Sequence, residues 1–96
     1  MGAETFMVRV RGKTAADAFN SAIRDAQHEC GHGGYTGTIA EKQSFVMIPV
    51  DKGVDPLKFA DDMLFDGDAR VDDKWGPAGC IDLENGMFLF FGWASS

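Results

Sequence analysis

The sequence predicts an α+β domain, a two-layer sandwich in which two helices pack on one face of a four-stranded mixed sheet. The predicted order is β-α-β-α-β-β. Three observations lead to it. Residues 5–11 alternate, with Phe6, Val8 and Val10 on one side and Met7, Arg9 and Arg11 on the other, the period of a half-buried strand. Ala15, Ala18, Phe19, Ala22, Ile23, Ala26 and Cys30 recur at the spacing of one helix face. Asn85-Gly86, set between two apolar runs, signals a hairpin with a two-residue type I′ turn.

Taken in order, the elements have local causes. Thr14 stands where an N-cap belongs. Asp17, three residues on, completes a capping box and places negative charge at the positive end of the helix. The first helix is therefore expected over 15–30, with Gly31 as the residue that closes it. Residues 38–42 fit either a short helical turn capped by Thr38 or an extended lead into the next strand. Within 44–50, Phe45, Val46, Met47 and Ile48 read as a strand covered on both faces, with Pro49 near its end. Asp55-Pro56 supplies a cap and a first helical residue for the second helix. Leu57, Phe59, Ala60, Met63 and Leu64 are its expected buried side, and Gly67 its stop. Residues 66–79 read as a long surface loop around Trp75.

The hairpin joins 80–84 to 87–93. A two-residue turn there pairs Leu83 with Phe88 and Ile81 with Phe90, so these four share one face. Met87, Leu89, Phe91 and Trp93 share the other. Helical crossovers favour parallel pairing of the first three strands, with the last antiparallel. A ferredoxin-like arrangement is the alternative. With both helices on one side, the row Met87, Leu89, Phe91 and Trp93 is too large and apolar to stand in water. A homo-oligomer, in its simplest form a dimer, is expected through it. The alternative is that the loop around Trp75 folds over this face.

At 96 residues the chain, residues 1–96, is expected to be one domain with a single modest core. No apolar run approaches the roughly 20 residues of a membrane helix, and the first residues lack a signal peptide's basic and apolar regions. A cytoplasmic protein without a membrane partner is expected. Cys30 and Cys80 are then free thiols. The net charge of -6 is unevenly placed. Residues 1–50 hold five acids and five bases, and 51–96 hold ten acids and four bases. Such a balance argues against nonspecific binding to a nucleic-acid backbone, which relies on a basic surface, and no direct nucleic-acid binding is expected. It leaves room for one small anionic ligand held by local donors.

Such donors cluster in residues 28–42. Gly31, Gly33, Gly34 and Gly37 are interleaved with His32, Tyr35, Thr36 and Thr38, and Lys42 follows. Glycine allows positive φ and close approach of a ligand to the backbone, and polar side chains between glycines suit a binding loop. No Gly-Lys-Ser or Gly-Lys-Thr follows, so this is not a P-loop. Nor is it a dinucleotide fingerprint, because the third glycine is missing and the loop leaves a helix C-terminus. A phosphate would sit in a nest of loop amides, with Thr36, Thr38, His32 or Lys42 as donors and Tyr35 stacked on a base. The expected ligand-binding set is His32, Gly33, Gly34, Tyr35, Thr36, Gly37, Thr38 and Lys42. The plain alternative is a long helix C-cap.

No metal or cofactor is expected. His28, Cys30 and His32 are metal-ligand types, but Gly31 ends the helix between the histidines and Cys30 lies on the apolar stripe. No catalytic residue is assigned, since a Cys30 or Cys80 thiol with a histidine base lacks a third, orienting group. The acidic stretch 51–74 carries Asp51, Asp55, Asp61, Asp62, Asp66, Asp68, Asp72 and Asp73. It offers another reading, a surface that imitates nucleic-acid phosphates and docks on a basic protein. A solvated helix face is the ordinary explanation.

The block His32-Gly33-Gly34-Tyr35-Thr36-Gly37-Thr38-Ile39-Ala40-Glu41-Lys42 resembles a segment of small bacteriophage-encoded proteins of unestablished function. The resemblance implies the cytosol of an infected bacterium and a counter-defence role, by sequestering a nucleotide signal or blocking a host protein. Three functions follow from the sequence in this order: a non-enzymatic nucleotide- or phosphate-binding protein, an acidic inhibitor of a basic host protein, and a small metal- or thiol-dependent enzyme.

Overall fold

A computed structural model of the chain describes residues 2–30 and 38–95. Its elements are β1 (Ala3–Arg11), α1 (Ala15–Cys30), β2 (Phe45–Met47), α2 (Pro56–Asp66), β3 (Ala78–Glu84) and β4 (Met87–Ser95), with a 3-10 turn at Ile39–Glu41. The caps act as the sequence implies. Thr14 Oγ1 accepts from Asp17 N at 3.1 Å, and Asp55 Oδ1 accepts from Leu57 N at 3.1 Å. Gly67, at φ 69° and ψ 42°, closes α2 in the left-handed region that suits glycine. Gly31, expected to close α1, lies outside the described residues.

The four-stranded mixed sheet and two helices of an α+β fold are present. Strand order is β1-β4-β3-β2, with β4 antiparallel to both neighbours and β2 parallel to β3. The first three strands thus run in one direction, as expected, but β4 stands between β1 and β3. Composition accounts for this. Phe88, Leu89, Phe90 and Phe91 are apolar at successive positions and all are buried, which suits only a strand covered on both sides. β1 carries Glu4, Arg9 and Arg11 and takes an edge, where charge is tolerated. β2 is cut short before Pro49 and forms the other edge, although Ile48 N–H still donates to the Cys80 carbonyl at 2.8 Å.

The helices were expected on one face and instead take opposite faces. One core joins α1 to the sheet through Phe6, Ala18, Phe19, Ala22, Cys80, Phe88 and Phe90. Within it the rings of Phe19, Phe45 and Phe90 meet at 5.0–5.7 Å. A second core joins α2 to the other face through Ala60, Met63, Leu64, Val71, Ile81, Leu89 and Phe91. The chain crosses the sheet from β1 to β2 and then steps back to β3. Crossovers of one hand that move in opposite directions lay their helices on opposite faces.

This corrects the expected oligomer surface. Leu89 and Phe91 are 0 % exposed inside the chain, and Met87 and Trp93 are half-buried. Leu89 and Phe91 belong to the second core and Trp93 packs against it, so the row is not an uncovered face. The hairpin register differs too. Asn85 and Gly86 take φ of 56° and 78°, as a type I′ turn requires, but Glu84 is also at φ 70° and Leu83 is bulged out of the ladder. Ile81 therefore faces Leu89 instead of Phe90 and joins the α2 side. Asp82 Oδ1 accepts from Glu84 N at 2.7 Å and holds the bulge.

Phe91→Ala should lower stability by about 3–5 kcal/mol, the usual cost of emptying a core phenylalanine site. Denaturant unfolding at several protein concentrations checks it. The loss should be the same at each, whereas a subunit contact would make it concentration-dependent.

Candidate functional site

Of the expected ligand set, His32, Gly33, Gly34, Tyr35, Thr36 and Gly37 lie outside the described residues. Thr38 and Lys42 are described, and both have structural tasks. Thr38 caps the 3-10 turn, with its Oγ1 accepting from Ala40 N at 3.3 Å. Ile39, 2 % exposed, pins the turn to the α1-side core.

Lys42, expected to reach a ligand, is engaged within the chain. Its side chain is buried at 3 % exposure. Nζ donates to the backbone carbonyls of Asp73, Lys74 and Gly76 at 3.2, 3.3 and 2.9 Å. An ammonium has three donors, and here three carbonyls accept them. Burial lowers the pKa of the amine, and the nearby Asp73 carboxylate opposes that shift. The lysine is thus a tie between the segment after the 3-10 turn and the loop around Trp75.

The thiol chemistry closes in the same way. Cys80 is 0 % exposed in the α1-side core, and burial there pushes its pKa up to about 12. A thiol of that kind is an inert apolar group, not a nucleophile. Neither is a metal centre assembled from what is described. Among the described residues no three of His, Cys, Asp or Glu converge as a metal site. His28 is exposed near the end of α1, and His32 lies outside the described residues.

The acidic stretch remains open to solvent. Asp51, Asp55, Asp61, Asp62, Asp66, Asp72 and Asp73 are exposed. Asp68 is tied to Arg70, whose guanidinium hydrogen bonds hold its pKa down at about 2. The loop over 67–77, shorter than expected because β3 already begins at Ala78, is anchored by Val71 in the α2-side core and by Lys42 on its carbonyls. Between them Trp75 is 60 % exposed, with the Lys74 ammonium 5.3 Å from its ring centroid.

Phe65 is the residue that sequence reasoning missed. It is 83 % exposed on α2. Leu57, expected inside, is 40 % exposed. Leu57, Asp61 and Phe65 follow one another at intervals of four and form a ridge on the outside of the helix. The signal was present: Met63, Leu64 and Phe65 are consecutive, and three successive helical positions span more than one apolar stripe can bury. Beside Phe65, a cleft of about 550 Å³ opens between α2 and the start of β1, lined by residues 3–5, Asp61, Leu64, Phe65 and Trp93. No family model, curated protein or solved structure matches the chain. No helix among the described residues is long and apolar enough to cross a membrane.

Lys42→Met keeps the apolar stem and removes the three donors. It should cost about 1–3 kcal/mol, because three part-buried carbonyls lose the donor that holds them together. Denaturant unfolding measures the loss, and limited proteolysis should find the 73–76 segment cut faster than in the parent. An unchanged midpoint would show that Nζ does not hold the loop.

Proposed function

We propose that the protein is a non-enzymatic binding module that docks on a basic protein through α2 and the acidic segment around it. The exposure of Phe65 carries this reading. A phenylalanine ring left 83 % in water, among the carboxylates of Asp61, Asp62 and Asp66, has the composition of an interface anchor inside a charged surround. The ring would supply affinity once desolvated, and the carboxylates would steer a basic partner and fix its orientation. In the counter-defence setting that the loop's resemblance implies, such a module would act by covering a host protein.

Phe65→Ser should leave thermal stability almost unchanged, since the ring buries little area, and should weaken partner binding at least about tenfold. The test is capture from a bacterial lysate on immobilised protein, identification of the retained protein, and titration of that purified protein at two salt concentrations. Affinity should fall with salt. Capture that is indifferent to Phe65 and to salt would end the reading.

A second reading keeps the glycine loop as a site for a small anionic ligand, a nucleotide or phosphate ester. What favours it is the rigid setting on its far side, where Thr38 caps the turn and Ile39 is buried. With Lys42 committed elsewhere, the ligand would rely on His32, Tyr35, Thr36 and the amides of Gly33, Gly34 and Gly37. Tyr35→Ala should weaken binding by about 1–3 kcal/mol through lost stacking on a base. Calorimetry with a nucleotide and phosphate-ester panel tests it, and a panel without heat or thermal shift removes this reading.

A further inference from the structure

The outer side of β1 is a long run of backbone groups with no pairing strand among the described residues. Gly12 N–H donates to the Gly86 carbonyl at 2.9 Å, and Arg11 stands opposite Met87, so this bond continues the β1–β4 ladder. Along an antiparallel ladder, residues alternate between those that turn N–H and C=O to the neighbour and those that turn them away. Phe6, Val8 and Val10 therefore bond to β4. Thr5, Met7 and Arg9 direct their N–H and C=O outward.

A groove flanks this edge on each face of the sheet. The α2-side cleft of about 550 Å³ holds the Asp61 carboxylate, the exposed Phe65 ring and Glu4. On the α1 side, a smaller cleft of about 300 Å³ is mainly apolar, with Val8, Val10, Ala22 and Ile39 in its wall and the exposed carboxylates of Asp25 and Glu29 beside them. The side chains of an added strand would enter the two grooves alternately. Across both grooves four acids stand against one base, Arg9.

We infer that the β1 edge receives an extended, basic segment of the partner as a fifth strand, with arginine or lysine in the α2-side groove and aliphatic residues in the α1-side groove. This rests on the docking reading only in taking the partner to be basic. Main-chain bonds to Thr5, Met7 and Arg9 supply affinity, and the grooves supply selectivity. An arginine in the larger groove pairs with Asp61 and lies against the face of Phe65, a geometry that a guanidinium matches better than an ammonium. A valine or leucine in the smaller groove covers the half-buried Val8 and Val10. The Val8-Arg9-Val10-Arg11 run of β1 has the same alternation, so a second copy of the chain is the competing occupant.

The experiment uses the full chain and a short blocked peptide of alternating arginine and valine, followed by amide hydrogen exchange and by titration. The peptide should slow exchange at Thr5, Met7 and Arg9 while Phe6 and Val8, already bonded to β4, stay as they were. Asp61→Lys should weaken the peptide about tenfold, and Asp72→Lys, outside both grooves, should not. A peptide that fails to bind, or binds without slowing those three amides, overturns the inference. So does protection of the same amides in the protein alone that grows with its concentration, which would assign the edge to a second copy. Partner capture that depends on Phe65 while the three amides exchange freely would end strand addition and leave the docking reading standing. The opposite pattern would end the docking reading alone.

Discussion

The structure depends on β4 being buried on both faces. Successive side chains of a strand point to opposite sides, so Phe88 and Phe90 demand cover on one face of the sheet, Leu89 and Phe91 on the other. Each buried residue of this size contributes about 1.5–3 kcal/mol. No packing of two helices on one side could satisfy all four. The rest follows: β4 in the centre, α1 and α2 on opposite faces, and the charged strand β1 and the short strand β2 at the edges. The bulge at Leu83 serves the same end, because it swings Ile81 to the α2 side, where Leu89 and Phe91 need a neighbour.

Lys42 is the second constraint. A buried ammonium is tolerable only when its donors are satisfied, and three carbonyls of the 73–76 segment satisfy them. The cost of burying that charge is offset by fixing a loop that has little apolar area of its own. Cys80 is withdrawn from chemistry in the same manner, as one more core side chain. Two of the polar candidates thus belong to the scaffold.

Part of what the scaffold leaves outside lies in one region, where α2 meets the start of β1. Asp61 and Phe65, from the ridge on α2, line the cleft at the start of β1, an edge strand with no partner on its outer side among the described residues. An apolar ring, carboxylates and the outer edge of β1 lie side by side there. Each feature alone is common on protein surfaces; their juxtaposition is what the proposed docking of a basic, extended partner rests on.

Local sequence determined the local structure. The helical stripe over 15–30, the Thr14 and Asp55 caps, the Gly67 stop and the Asn85-Gly86 turn were all legible, because each depends on residues within a turn or two of one another. Legibility failed for strand order, the faces of the helices and the bulge, which depend on which of two apolar rows finds a partner distant in sequence. It failed for Lys42 for the same reason, since its three acceptors lie more than thirty residues away. Phe65 is the reverse case. Its residue type argues for the interior, and only the packing of α2, which turns Ala60, Met63 and Leu64 inward, leaves the ring in water.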